Sequence, residues 1–348
     1  MQGVVRRSPR EVALTDLPEP ALEPGTALLR VRACGICGSD LHGYRRGTPE
    51  LPPGYWWGHE AAAEVVELSP RPGESSRVKV GDLVTIDPPL ARGCGACAWC
   101  LAGAPVHCDN KRGGDDWTGC YAPYAKRDVR GLFALPANVS AEDGALVEPL
   151  AVAVHAVRLA QMPEGAKVAV LGAGTIGLTA LLAARGLGAS EVYVTARHAH
   201  QAALAKDLGA TAVLPEDAAE SETALADLTS GAMADLVIET VGGTAGTVGQ
   251  ALRLVRRRGT VAILGIFEHA VPMEVGKALN REAHLVFPLC YGSFDGVPDF
   301  QVAIDLIASG KAPVRALATH TFALADAAEA FRTADDKSSG SIKVLLLP

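Results

Sequence analysis

The feature that most limits how this chain can fold is the run Lys167-Val168-Ala169-Val170-Leu171 leading directly into Gly172-Ala173-Gly174-Thr175-Ile176-Gly177. The first part is a short apolar stretch of strand length. The second fits G-x-G-x-x-G and opens a helical run to Arg185. Alone the glycine pattern is weak, but a strand before it and a helix after it supply the context of a dinucleotide-binding turn. Gly172 permits the tight turn, Gly174 lets a pyrophosphate approach the backbone, and Gly177 lets helix pack on strand. The helix N-terminal amides, including those of Thr175 and Ile176, then face the phosphates. Strand-like and helical runs go on alternating beyond it: Glu191–Thr195, Ala202–Leu208, Ala212–Leu214, Asp235–Glu239, Val248–Leu254 and Thr260–Leu264. That alternation predicts a doubly wound parallel sheet covered on both faces, over residues 151–285.

An acidic residue about 20 positions after the glycine motif would bind a ribose 2′-hydroxyl. The position expected to hold it is Ala196, and Arg197 follows directly. Loss of a carboxylate removes repulsion, and an arginine offers a bidentate partner for a 2′-phosphate. The pair therefore predicts NADP(H) over NAD(H); the competing reading is an Arg197 that stacks on adenine at a strand end. Thr240 and Val241, with Gly265 and Ile266, follow two further strands and are expected to line the nicotinamide ring, because ligands bind beyond the carboxyl ends of such strands.

Residues 1–150 read differently. Short strand-like runs such as Ala27–Ala33, Ala62–Leu68 and Asp82–Ile86 are separated by Gly/Pro turns, a pattern of an antiparallel or barrel-like β domain. Six of the eight cysteines fall between Cys34 and Cys108, too uneven for cysteines scattered through a core. The spacing Cys94-x2-Cys97-x2-Cys100-x7-Cys108 suits four thiolates converging on one tetrahedral ion. Gly93, Gly95 and Gly103 permit the turns this requires. Four thiolates leave no open position, so this zinc is expected to be structural, in a lobe spanning about residues 93–109. Two disulfides or an iron–sulfur cluster are the competing readings.

A second constellation combines Cys37-Gly38-Ser39-Asp40-Leu41-His42, Gly58-His59-Glu60 and Glu148-Pro149-Leu150. One thiolate, one imidazole and one carboxylate can hold zinc with a fourth position open to a ligand. Taken in order, Cys34-Gly35-Ile36-Cys37-Gly38-Ser39-Asp40, Gly58-His59-Glu60, the four-cysteine lobe and the glycine motif make the chain resemble the zinc-dependent medium-chain dehydrogenase/reductase family over essentially its whole length. The resemblance implies a GroES-like β-barrel catalytic domain (1–150 and 286–348) beside a Rossmann domain (151–285). It implies two zinc ions per chain. The catalytic one would be held by Cys37, His59 and Glu148, as in the polyol and threonine dehydrogenase branch, with Glu60 nearby as a carboxylate able to exchange with Glu148 during turnover. Asp40 would support the ligating histidine, Ser39 would touch the substrate oxygen, and His42 would end a proton relay.

The implied activity is that of an NAD(P)-dependent alcohol dehydrogenase/reductase: hydride transfer between a secondary alcohol (a polyol, cyclitol or amino alcohol) and the nicotinamide. The alternatives are reduction of an aldehyde or imine by NADPH and, less favoured, a cofactor-sensing protein without catalysis, against which all three ligands are present. Tyr44, Trp56, Trp57, Trp117, Tyr121 and Tyr291 are candidate pocket walls, and Asp115 and Asp116 candidate hydroxyl or amine partners; Trp99 lies in the cysteine lobe and reads as structural. The net charge of −7 argues against nucleic acid. No apolar run reaches membrane-spanning length and Met1-Gln2-Gly3-Val4 opens no signal peptide, so a cytoplasmic chain without membrane partners is expected. The resemblance implies a homodimer or homotetramer, joined through an edge strand expected near Pro288–Tyr291.

Overall fold

A computed structural model of the chain describes residues 1–46, 58–71, 73, 76–111 and 119–348. They form two units: Met1–Glu148 with Asp295–Ala308 and Val314–Pro348, and Pro149–Phe294 with Ser309–Pro313.

In the first unit, β1 (Gln2–Ser8) and β2 (Glu11–Asp16) make an antiparallel ribbon. The main sheet is built from β3 (Thr26–Gly35), β4 (Glu60–Ser69), β5 (Leu83–Ile86), β6 (Tyr124–Asp128) and β7 (Leu132–Ala134). β3 pairs with both β4 and β6, and β4 continues to β5 and β7, all antiparallel. Its core gathers Leu29, Val31, Val65, Ile86, Leu132 and Phe331. Full burial of one such side chain is worth about 1.5–3 kcal/mol. Helix α1 (Gly38–Arg46) follows β3 directly.

The second unit carries six parallel strands. They are β8 (Lys167–Leu171), β9 (Glu191–Thr195), β10 (Ala212–Leu214), β11 (Ala234–Glu239), β12 (Val255–Ile263) and β13 (His284–Val286). Their spatial order is β10-β9-β8-β11-β12-β13. The order reverses between β8 and β11, the crevice where doubly wound sheets bind ligands. The central strands β8, β9 and β11 are buried at nearly every position, so they read as near-continuous apolar runs rather than alternating ones. Helix α2 (Thr175–Gly186) packs Leu178 and the run Ala180–Ala184 inward. The expected edge strand near Pro288–Tyr291 is corrected by β13, which ends at Val286. Proline has no N–H for a ladder, and Cys290 takes a left-handed φ of 54°.

The C-terminal stretch returns to the first sheet. There β14 (Ala318–Ala323) pairs in parallel with β15 (Lys343–Leu347). β15 lies antiparallel to β3, with Leu345 opposite Gly35. Gly35 also faces Glu60 on β4. One glycine thus brings the last strand of the chain beside the Gly58-His59-Glu60 segment.

Candidate active site and metal centres

Ligand atoms of Cys37, His59 and Glu60 all lie within 4.8 Å of one another. Cys37 sits in the turn between β3 and α1; His59 and Glu60 stand at the start of β4. The turn is held from inside by Asp40, whose Oδ2 accepts from Cys37 N at 2.9 Å. The Tyr121 hydroxyl lies 2.7 Å from the same oxygen and 2.9 Å from the Gly35 carbonyl. Burial raises the Asp40 carboxyl above its usual range, against the pull of His59. Burial opposes a charged ring at His59, yet Cys37, Asp40 and Glu148 outweigh it and hold its pKa well above the ordinary value. A donor set that draws a proton so strongly is one that favours a cation in its midst, which fits a metal ion.

Glu60 is the least available of these groups. Both its oxygens accept from Lys343 Nζ, at 2.7 and 2.6 Å, and the same ammonium donates to the Ile36 carbonyl at 3.0 Å. The pair is almost wholly buried, at 3% and 1% side-chain exposure. It lies over Gly35, where a Cβ would come within 2.2 Å of Glu60 Oε2. Glu148, in the first turn of helix Val147–Leu159, is outside the 4.8 Å set, but its charge acts on His59. It also acts on Asp87, a buried helix N-cap whose side chain accepts from Leu90 N. Ser39 is exposed in the first turn of α1, with His42 one turn on and partly buried.

Sulfur atoms of Cys94, Cys97, Cys100 and Cys108 form a second group of the same closeness. Backbone amides point at the sulfurs, from Ala96 and Cys97 to Cys94 at 3.4 and 3.3 Å, and from Cys94 to Cys108 at 3.4 Å. Those two amides draw the Cys94 thiol down to about 6, whereas burial pushes Cys100 up to about 12. Amide donors aimed at sulfur are what thiolates around a metal require. The lobe is tied down by Arg130, which donates to the Gly93 carbonyl and to Asp128, both at 2.9 Å. Trp99 is half exposed and rests against the His107 ring.

In the second unit the glycine motif is shaped for a ligand. Gly172 has φ +97°, and a Cβ on Gly177 would lie 1.9 Å from the Gly172 carbonyl. A Cβ on Gly174 would meet nothing within 4 Å, and no side chain caps the helix it starts. That open cradle at bare helix amides fits a pyrophosphate. Across the crevice, Thr240 Oγ1 donates to the Leu171 carbonyl at 2.7 Å. The Thr240–Gly243 and Gly265–Ile266 segments are locked together by Gly243 N donating to Ile266 O at 2.8 Å. Val241 and Ile266 stay exposed. Beneath them Glu239, fully buried, accepts from Val241 N, Gly242 N and Thr247 Oγ1 at 2.7–3.0 Å.

Several expected residues stand elsewhere. Tyr44 is a core residue with its ring on Phe331, 5.4 Å away, and Tyr121 is a buried support for Asp40 rather than a pocket wall. Tyr291 is buried in the second unit. Trp56, Trp57, Asp115, Asp116 and Trp117 lie outside the described residues. Lys343 beside the metal cluster and the buried carboxylate of Glu239 under the Thr240–Gly243 loop are not marked out by sequence pattern. Their sequence signal is slight: a charge at one end of an otherwise apolar strand.

A nucleotide cradle, a thiol–imidazole–carboxylate cluster and a four-cysteine lobe on these two folds define a metal- and nucleotide-dependent oxidoreductase. Residues 23–137 match the alcohol dehydrogenase GroES-like domain and residues 175–309 the zinc-binding dehydrogenase domain. The chain is 29% identical to sorbitol dehydrogenase of Bacillus subtilis, over 100% of this chain and 97% of that one. It is 31% identical to L-threonine 3-dehydrogenase of the same organism, over 96% and 94%. A zinc-binding dehydrogenase structure from Sinorhizobium meliloti 1021, bound to NADP, superposes with a TM-score of 0.86 at 31% identity, covering 100% of this chain and 99% of that one. The chain belongs to the zinc-dependent medium-chain dehydrogenase family and is a zinc-dependent enzyme of the alcohol dehydrogenase type.

Proposed function

We propose that this enzyme interconverts a secondary alcohol (a polyol, cyclitol or amino alcohol) and its ketone, with NADP(H) as hydride carrier. The observation that carries the reading is the Cys37–His59–Glu60 cluster with Glu60 already neutralised by Lys343. With Glu60 held by Lys343, this reading takes Glu148 as the carboxylate that joins Cys37 and His59 around zinc. Zinc bound there would act as a Lewis acid, making an alcohol proton easier to lose. The nicotinamide would supply the hydride acceptor.

The chain's own part is positioning and proton movement. Asp40 fixes the Cys37 turn, Tyr121 fixes Asp40, and the Asp40 charge favours a His59 ring turned toward it. Ser39 Oγ takes the proton from the substrate hydroxyl, and His42 passes it outward to water. Gly172, Gly174 and Gly177 hold the pyrophosphate, Arg197 meets the 2′-phosphate, and the Val241 and Ile266 backbones border the nicotinamide. The four-cysteine lobe holds the second zinc and takes no part in the chemistry. The names of the sorbitol and threonine dehydrogenase relatives support a substrate with neighbouring hydroxyl or amino groups, and the NADP-bound relative supports the cofactor.

The chain further works as a homo-oligomer through the β13 edge. Val275, Leu279, Phe287 and Leu289 flank that strand and are all exposed, an apolar grouping that a partner copy would cover.

A panel of polyols, cyclitols and amino alcohols with NADP⁺ and NAD⁺, followed at 340 nm and paired with metal analysis, tests the reading. Turnover with NADP⁺ and two zinc per chain are expected, with one zinc lost in Cys37→Ser. One zinc in the unaltered enzyme, or a large kcat/KM advantage for NAD⁺, would overturn it.

A further inference from the structure

Two neighbouring strands of the nucleotide-binding unit end in a charged pair. β9 and β10 run parallel with Thr195 opposite Leu214, so the segments that follow leave the sheet side by side. One holds Ala196 and Arg197, the other Glu216. Arg197 Nε and Nη2 both donate to Glu216 Oε1, at 2.7 and 2.5 Å. Both side chains are open to solvent, at 68% and 50% exposure. The Arg197 hydrogen bond, and the nearby His198, hold the Glu216 carboxyl below its usual range. Glu216 is therefore an anion, and it occupies the guanidinium edge that a 2′-phosphate would use.

The consequence follows from charge. A ribose 2′-phosphate has to displace Glu216 from Arg197 and then sit beside the displaced carboxylate. A ribose 2′-hydroxyl carries no charge and can donate to a carboxylate oxygen. One side chain thus weakens binding of the phosphorylated cofactor and tolerates the other. We infer that Glu216 tunes the selectivity of the cofactor site, holding Arg197 and lowering affinity for 2′-phosphorylated dinucleotides relative to what Arg197 alone would give. The acid missing at Ala196 is in effect supplied by the next strand. This inference rests on the proposed meeting of Arg197 with the 2′-phosphate. An exposed ion pair is a weak interaction, so the effect is a tuning of preference rather than a switch.

Binding to the full-length enzyme, measured by calorimetry without turnover, tests it. The probes are adenosine 2′,5′-bisphosphate and 5′-AMP. Glu216→Gln is expected to raise the affinity ratio for the bisphosphate over 5′-AMP by about three- to tenfold, and the gain should shrink as salt screens the charges. Glu220→Gln removes the same charge from the adjoining exposed helix turn and is expected to change the ratio less than about twofold. Arg197→Ala should weaken the bisphosphate and, combined with Glu216→Gln, abolish the gain. All three altered side chains are on the surface, so the variants keep the fold. If Arg197→Ala leaves bisphosphate affinity untouched, the underlying phosphate reading fails and takes this inference with it. If Arg197→Ala weakens binding but Glu216→Gln leaves or lowers the ratio, or Glu220→Gln matches it, the role of Glu216 alone is overturned.

Discussion

Glu60 and Lys343 are far apart in the chain and share almost no water in the fold. Burial opposes the ammonium form of Lys343, but the charges of Glu60 and Cys37 outweigh it and raise its pKa. A buried ion pair gains little over apolar residues of the same size, but loss of one partner strands the other charge. Lys343→Met should therefore cost about 3–5 kcal/mol in urea unfolding. The double variant Lys343→Met/Glu60→Gln should recover a large part of that loss. Equal destabilisation of the single and double variants would mean that the charges are not coupled. The same scale explains why the ion pair of Glu60 is hidden in the sequence. Gly58-His59-Glu60 shows an acid beside a histidine, and nothing local says that a strand 283 residues on will neutralise it.

At the scale of elements, the short helix Pro88–Arg92 leads from the sheet into the cysteine lobe, and Asp87 caps it. Burial, with the charges of Glu148 and Asp299 adding to it, pushes the Asp87 carboxyl up to about 7. Between about pH 4 and 7 the folded chain then holds a proton that the unfolded chain has lost, so stability falls as pH rises through that window. Asparagine keeps the cap acceptor and cannot ionise. Asp87→Asn should gain on the order of 1–2 kcal/mol over the unaltered protein in urea at pH 8 and nothing near pH 4. An equal change at both pH values would refute the titration. In the lobe itself, Cys100→Ser should release one zinc and lower Tm by several degrees. KM for the alcohol should stay within about twofold in the protein that remains folded, because a site closed by four thiolates offers no position to substrate. A KM shift well beyond about twofold with Tm unchanged would contradict a structural role.

For the whole molecule, the proposed oligomer rests on the segments flanking β13. Leu279 is 75% exposed and Phe287 67%, an uneconomical placement for a monomer. The unaltered enzyme should sediment at no less than twice the chain mass, and Leu279→Glu should shift it toward the single chain. An unaltered enzyme that sediments as one chain would leave that face unexplained. The edge strand expected near Pro288–Tyr291 stands instead at His284–Val286. Apolar composition alone does not separate a strand from the irregular segment after it, and the left-handed backbone at Cys290 is visible only in three dimensions.

What the sequence determined alone was local chemistry with rigid spacing. Cys94, Cys97, Cys100 and Cys108 are close enough in the chain to meet whatever the rest does. Gly172 and Gly177 are dictated by backbone conformation and clearance within one turn, and β8, β9 and β11 by short apolar runs. The tertiary structure decided everything that depends on distant partners. It set Lys343 on Glu60, Tyr121 behind Asp40 and Glu216 against Arg197. In each case a charge or hydroxyl acquires its task from a neighbour on another strand or loop. Strand order and register choose that neighbour, and a linear pattern of residue types does not encode it.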